Sequence, residues 1–587
     1  MVIAIALSVK PLFAQGSNID STEHIRLNQV GFYPDAPKIA IVLKGRGNNT
    51  FYVETVNKKI VFKGTLKQSV KPDFAGNVTS IADFSAFQQP GRYVLHVADV
   101  GYSWPFEINR SVHRQVADAS IKAYYFMRAS IPLKEKYAGK WHRAEGHPDT
   151  VVLIHPSAAS DTRLAGTVIS SPGGWYDAGD YNKYIVNSGI STSTLLSLYE
   201  DFPDYLKTVK LNIPESGNNI PDVLNEALWN LRWMLTMQDP NDGGVYHKLT
   251  NAAFDKFIMP DKCTTPRYVV QKGTAATLDF AAVMAQASRI FRSFPKELPG
   301  LADSCLSQAN KAWDWAAKNP DVVYNQDAMN KKFSPPITTG AYGDRYFGDE
   351  FIWAASELFV TTNDARYLQT INLIPDNTMP LPTWGQVRLL GYYSLIKHSS
   401  SFGVNAPKEI PELKSRLIAF ADDMINGANE TAYQTVIDKS THNFGWGSNS
   451  VAGNQGVALI QAWQISHKPE YLRYALANLD YILGRNGTGY SFVTGYGSKP
   501  PMHPHHRPSA ADGVVDPIPG LLVGGPNPGM QDGIKVPSTV PDEAYVDDER
   551  AYAVNEIAIN WNAPLAYLSN AIEALQNELR KTELKSR

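Results

Sequence analysis

Three groups of side chains have the types and spacing for chemistry. The first is GGWYDAGDYNKY, Gly173–Tyr184, which sets Asp177 and Asp180 three residues apart in a glycine-rich turn flanked by Trp175, Tyr176, Tyr181 and Tyr184. Two carboxylates this close can grip one water from two sides, and one can then take its proton as a general base. The same residues would also make an Asx-capped turn or a calcium loop. The second group is YVDDERAYAVNEIAINWNAPLAY, Tyr545–Tyr567, where Asp547 and Asp548 precede Glu556 and Glu556 is expected to open a long amphipathic helix. An acid there either complements the helix dipole or acts as a proton donor. The second role needs a pKa raised by burial or by negative charge, which Tyr545, Tyr552, Trp561 and the aspartates can supply. The third group is HPHHRPS, His503–Ser509. Clustered histidines beside an arginine can bind a metal, stabilise an anion or hydrogen-bond sugar hydroxyls. His503, His505 and His506 lack the helical spacing of a hydrolytic zinc site, and there is no HExxH. With no GxSxG elbow, P-loop or dinucleotide fingerprint either, carboxylate acid–base chemistry leads.

These groups need a large scaffold. A chain of 587 residues exceeds one hydrophobic core, so two or more domains are expected. At 43% hydrophobic and 19% charged, the composition is that of a soluble globular protein. Its 55 basic and 57 acidic residues leave a net charge of −2, which makes no electrostatic case for nucleic acid or anionic lipid. Beyond the N-terminus no run approaches the roughly 18 apolar residues of a membrane span. Residues 2–9 are mostly apolar and lead to Leu12-Phe13-Ala14, as in a signal peptide cleaved after Ala14, although no basic stretch precedes them. An exported monomer is expected. Cys263 and Cys305 belong to no CxxC, so a cysteine metal site is not expected, and whether they pair is left open.

Residues 24–108 read as about seven short strands rich in Val, Ile, Phe and Tyr: 25–30, 38–43, 50–56, 59–62, 78–84, 91–97 and 103–108. That spacing suggests an immunoglobulin-type sandwich. From residue 111 to 582 the period becomes helical. Candidate helices cover 111–128, 187–202, 221–237, 274–292, 303–318, 349–361, 365–372, 384–397, 410–426, 454–466, 469–484 and 555–580, with no strand-rich block between them. About a dozen helices suggest a ring of helix pairs, and a solenoid would give a similar count. The segment 498–542, dense in Pro and Gly, reads as a long ordered surface loop.

Together the three groups resemble glycoside hydrolase family 9. SFVTGYGSKPPMHPHHR, Ser491–Arg507, is similar to its histidine signature, Tyr545–Ala563 to its acidic signature and GGWYDAGD to its base motif. IRLNQVGFYPDAPKIAIV, Ile25–Val42, resembles the immunoglobulin-like domain that precedes the catalytic domain in one branch. The resemblance implies an (α/α)6 barrel and an inverting hydrolase of β-1,4-linked glucans. By position it makes Asp180 the general base, Asp177 a second grip on the water and Glu556 the general acid. His505 and Arg507 match sugar contacts, and Asp547 is supportive. No cofactor is implied for catalysis. Structural calcium is, with Asp344, Asp349 and Glu350 as the candidate site and a solvated helix start as the alternative. Some relatives carry a Cys/His zinc site ahead of the base motif, but no cysteine lies between 108 and 177, so that zinc is not carried over. Inversion requires the two carboxyls to stand roughly 6.5–9.5 Å apart to admit the water. Trp175, Tyr184, Trp384, Trp446 and Tyr545 are candidates for stacking on sugar rings, each with buried packing as the alternative. An exo-acting β-glucosidase or glucosaminidase on the same fold is the near rival, and a non-catalytic carbohydrate-binding protein the distant one.

Overall fold

The computed structural model describes residues 20–43 and 49–579. The signal-like segment 1–14 and the last residues of the domain expected to end at 582 lie outside them. Ten strands come first: β1 (Ile25–Arg26), β2 (Gly31–Phe32), β3 (Ile39–Val42), β4 (Thr50–Thr55), β5 (Ile60–Thr65), β6 (Lys67–Gln68), β7 (Ser80–Asp83), β8 (Gly91–Val97), β9 (Gly101–Tyr102) and β10 (Phe106–Ile108). One sheet runs β1-β3-β7-β6 and the other β2-β10-β8-β4-β5, with β9 against β8. Alternation drives the packing: Phe51 and Val53 of β4 and Tyr93, Leu95 and Val97 of β8 point inward. Phe32, Phe84 and Phe106 close the centre, with ring centroids 5.2–5.4 Å apart.

The sandwich is fastened to the helical domain by buried polar contacts. Tyr33 donates to Glu573 at 2.6 Å, Asn28 to Asp480 at 2.8 Å, and the Gln29 amide to the Leu483 carbonyl at 3.0 Å. Ile41 and Ile81 pack on Ala432 and Tyr433.

Among the described residues, eleven helices of ten or more residues and the short α7 build the second domain: α1 (Arg114–Phe126), α2 (Ile185–Asp201), α3 (Asp222–Thr236), α4 (Thr274–Phe291), α5 (Leu301–Lys318), α6 (Gly348–Thr362), α7 (Arg366–Gln369), α8 (Arg388–Lys397), α9 (Ile410–Ile425), α10 (Ser448–Ser466), α11 (Pro469–Ile482) and α12 (Ile559–Ala574). A few isolated helical turns lie between them. The even-numbered helices form an inner ring and the odd-numbered ones back it. Inner neighbours α2–α4, α4–α6, α6–α8, α10–α12 and α12–α2 pack directly, and α9 contacts both α8 and α10. Composition decides which ring a helix joins. TAATLDFAAVMAQASRIF of α4 is apolar or small nearly all round and almost wholly buried. The outer α5 buries one stripe, Cys305, Ala309, Ala312, Trp313 and Ala316.

Two expectations are corrected. A small sheet does lie among the helices: β11 (Val152–Ile154), β12 (Val168–Ile169), β13 (Lys183–Tyr184), β14 (Lys248–Asn251) and β15 (Arg267–Val269), ordered β12-β11-β15-β14-β13. Strands of two to four residues fall below any period-2 signal. The segment 498–542 is not simply a surface loop either, because residues 517–527 are largely buried. Their backbone groups find partners inside: Gly524 N–H on the Glu556 carbonyl, Gly525 N–H on Val554, and Leu522 N–H on the Asn562 side chain. Cys263 and Cys305 are free thiols.

Candidate active site

The base motif owes its shape to its glycines. Gly173 and Gly174 have φ of 81° and 78°, and a Cβ on Gly174 would meet the Trp233 ring at 2.7 Å. At Gly179 a Cβ would fall 2.3 Å from the His505 carbonyl, so only glycine lets the histidine loop cross here. The crossing is fastened by Arg507, whose Nη1 donates to the Gly179 carbonyl at 2.7 Å and whose Nε donates to the Asp255 carbonyl at 2.9 Å. Behind the motif Asp149 is paired with Lys183 at 2.7 Å and Arg267 at 3.0 Å, which anchors β13 from below.

Asp177 and Asp180 are both buried. Asp177 accepts from Asn187 Nδ2 at 2.8 Å and from the Tyr342 hydroxyl at 2.9 Å. Asp180 takes Asn182 Nδ2 at 2.5 Å and the Tyr184 hydroxyl at 3.3 Å, both on Oδ2, so Oδ1 is the oxygen left for a cleft water. Tyr342 has φ of 48°, an uncommon setting for a side chain of this size and a local strain at the site.

Glu556 does not open a helix. It is extended, at φ −71° and ψ 152°, between the turn Tyr552–Asn555 and α12. It bridges in parallel to His505, and its carboxylate accepts from the Gly179 amide at 3.3 Å. The dipole reading is therefore set aside, since side-chain spacing alone does not reveal a break of three residues ahead of a helix. His505 Nδ1 donates to the Glu549 carbonyl at 2.6 Å, which leaves Nε2 for the cleft. Asp547 stands behind the lining. It accepts from the amides of Met502 and His503 at 2.7 and 2.9 Å and from Asn555 Nδ2 at 3.0 Å, tying the histidine loop to the residue before Glu556.

Asp177, Asp180, Glu556, His505 and Arg507 line one cavity of about 840 Å³. Trp446, which is 47% exposed, and Tyr552 share one wall with their rings 5.5 Å apart, and Trp561 continues it. Trp384, edge-on to Tyr342 at 5.3 Å, stands in the lining with Phe254. Three of the stacking candidates are corrected. Trp175 is fully buried against Tyr124, and Tyr545 is buried with its hydroxyl on Asn555 at 2.5 Å. Tyr184 borders the cavity but is 1% exposed, and its reach into the site is the hydroxyl on Asp180. Flanking residues in a rigid turn pack beneath it, and their identity alone does not say which side they take. Sequence reasoning missed Asn182, Asn187 and Tyr342, the donors that hold the two aspartates. Tyr342 lies in GAYGD, two residues before the acidic cluster, and that glycine-bracketed tyrosine was the available signal.

Burial, then the charges of Asp180 and Asp177, push Glu556 well above the carboxylate range, the direction a general acid needs. Burial and Asp180 raise Asp177 too. Lys248 is pulled down to about 7 by burial, against the charges of the two aspartates.

The calcium candidates can be tested against unpartnered buried oxygens. Both carboxylate oxygens of Glu350 and both of Asp279 on α4 are buried without a hydrogen-bond partner. Burial raises both carboxyls, and the charges of Asp349 and Asp344 add to the rise at each. Asp349 keeps one oxygen on the Val387 amide at 2.8 Å. The bare buried oxygens of Asp279 and Glu350 are hard ligands of the kind calcium takes, and Asp279 is not among the residues expected.

Comparison with known proteins identifies the family. The profile of glycosyl hydrolase family 9 matches residues 113–569, and that of the cellulase N-terminal ig-like domain matches 20–102. The chain is 47% identical to a xyloglucan-specific endo-beta-1,4-glucanase of Bacteroides ovatus over 560 residues, covering 95% of each. It is 34% identical to Endoglucanase D of Acetivibrio thermocellus, covering 94% of this chain and 83% of that one. A solved structure of a Bacteroides ovatus family 9 protein superposes with a TM-score of 0.90 at 46% identity, covering 94% of this chain and 99% of its own. The chain belongs to glycosyl hydrolase family 9, as an (α/α)6 barrel preceded by an immunoglobulin-like domain.

Proposed function

We propose that the protein is an inverting endo-β-1,4-glucanase. The observation that carries this reading is the shared cleft floor, where Asp180 and Glu556 line one cavity on separate backbone segments. Asp180 takes a proton from a water that Asp177 helps to hold, as that water attacks the anomeric carbon. Glu556 gives its proton to the leaving oxygen on the other side. His505 and Arg507 hold sugar hydroxyls while the ring distorts, and Trp446, Trp384 and Tyr552 offer faces to neighbouring rings. Asp547 acts at one remove, through Asn555.

Action within chains is supported by the cleft wall. Of 498–542, the segment able to close one end, only His505 and Arg507 stand in the lining. Xyloglucan is the first substrate to test, because the Bacteroides ovatus relative bears that specificity in its name. Mixed-linkage glucan and amorphous cellulose share its backbone linkage. The protein works as an exported monomer, consistent with the apolar segment 2–9, and no described helix is long and apolar enough to cross a membrane. Calcium at Asp279, Asp344, Asp349 and Glu350 would neutralise this acidic cluster and fix the start of α6, which follows the Tyr342 loop.

A time course of products from xyloglucan, barley mixed-linkage glucan and carboxymethylcellulose tests the reading, with Glu556→Ala as control. Mid-sized oligosaccharides appear early from the active chain and are absent with the variant. Release of only glucose or cellobiose would instead assign an exo-acting enzyme.

A further inference from the structure

Outside the cleft, one cluster brings together three different metal-binding side chains. His147, Asp255 and Cys263 each offer a ligand atom, and these atoms all lie within 4.8 Å of one another. Tetrahedral zinc ligands stand roughly 3.3–3.8 Å apart, given bonds of about 2.0–2.3 Å, so small side-chain adjustments close the set.

His147 is built for this task. It is 5% exposed, and its Nε2 is buried with no hydrogen-bond partner. Its Nδ1 lies 2.9 Å from the Tyr176 hydroxyl, and its ring packs on Tyr176 and Tyr181 at 5.5 and 5.4 Å. A ring pinned through one nitrogen with the other bare is how protein structures present a metal-ligating histidine. The neighbouring cations are already engaged. Arg267 is paired with Asp149, and Arg507 donates to the carbonyls of Gly179 and Asp255. Asp255 and Cys263 are part-exposed, so a metal ion has an entry path and water can complete the coordination.

We propose that His147 Nε2, the Asp255 carboxylate and Cys263 Sγ bind Zn²⁺, which clamps the 254–263 segment to His147, whose ring packs on the base motif. This is not the zinc site carried by some relatives ahead of the base motif, because Asp255 and Cys263 both follow it. A mixed nitrogen, oxygen and thiolate set suits zinc over calcium or magnesium. The clamp matters because the segment carries Phe254, which lines the cleft, and Phe257, which meets His505 edge-on at 5.1 Å. The segment is also held by the Tyr181 hydroxyl on the Ile258 carbonyl at 2.7 Å and by Arg507 Nε on the Asp255 carbonyl at 2.9 Å.

The test titrates the chelator-treated full chain with cobalt(II) chloride and then zinc chloride. One cobalt per chain is expected with a thiolate-to-metal charge-transfer band, which zinc bleaches. Cys263→Ser, checked for folding by circular dichroism, loses the band, and Asp255→Asn weakens binding at least tenfold. Zinc also slows tryptic cleavage at Lys256 and Lys262 in the parent chain. Absence of the band in the parent chain overturns the site, as does a band undiminished in Cys263→Ser. Equal cleavage with and without zinc overturns the clamp.

Discussion

Tyr342→Phe removes one hydroxyl and leaves the ring. That hydroxyl donates to Asp177 at 2.9 Å, while the ring meets Tyr184 at 4.8 Å and Trp384 at 5.3 Å. Burial, then the neighbouring Asp177 carboxylate, hold the phenol well above its usual pKa, so it can only donate. A hydrogen bond to a charged group contributes about 1.5–3 kcal/mol. If it serves the transition state, in which the base pair must hold the water while Asp180 gains a proton, the loss is roughly 10- to 150-fold in kcat/KM. The fall should lie in kcat, because Tyr342 holds Asp177 and not a sugar several rings away. Steady-state kinetics on the preferred glucan give the answer, with thermal unfolding as a check on the fold. The cycle with Asp177→Asn should be strongly non-additive, since both changes strike one interaction. A Tyr342→Phe enzyme within twofold of the parent, or an additive cycle, would refute the idea that this bond positions the attacking water.

Other consequences follow from the same contacts. Glu556 must hold its proton to act, so kcat/KM should fall on the alkaline side. Asp177→Asn, by removing a charge that raises Glu556, should move that limb to lower pH in whatever activity remains. A limb that stays in place or moves upward would count against Glu556 as the acid. Trp446→Ala should raise KM roughly two- to tenfold with little change in kcat, the scale of one lost ring contact, and an unchanged KM would remove Trp446 from the binding surface. Burial works to raise Asp149, but Arg267 and Lys183 hold it down at about 2 from an ordinary 3.8. Its depressed folded pKa means that its stabilisation is present above 3.8 and lost as pH falls through about 2. Asp149→Asn should cost about 3–5 kcal/mol in denaturant unfolding at neutral pH, because it strands two buried cations. A cost below 1 kcal/mol would mean that the cluster does not brace β13.

Much of the molecule was legible because its signals repeat. The twelve helices followed from apolar periodicity, and most of their ends fall within a few residues of expectation, as in 274–292 against Thr274–Phe291. The base and acid motifs were legible because glycines and paired acids are conspicuous in a local window. What escaped was set by tertiary placement. Nothing local says that Trp175 faces Tyr124 instead of the cleft, or that Asn187 and Tyr342 arrive from α2 and a distant turn to hold Asp177. Glu556 was assigned to a helix because its neighbours have helical spacing. The parallel bridge to His505, 51 positions earlier in the chain, is what keeps it extended. The cluster of His147, Asp255 and Cys263 was invisible for the same reason: its spacings of 108 and 8 residues match no metal motif.

In the proposed mechanism Asp180 and Glu556 act on opposite faces of the sugar. Proton NMR of the newly formed reducing end, recorded in the first minutes of hydrolysis before mutarotation, tests it most directly. The α anomer should appear first from the β-linked chain, and no product should form with Glu556→Ala. The β anomer appearing first would mean a covalent, retaining route and would contradict these roles for the two carboxyls.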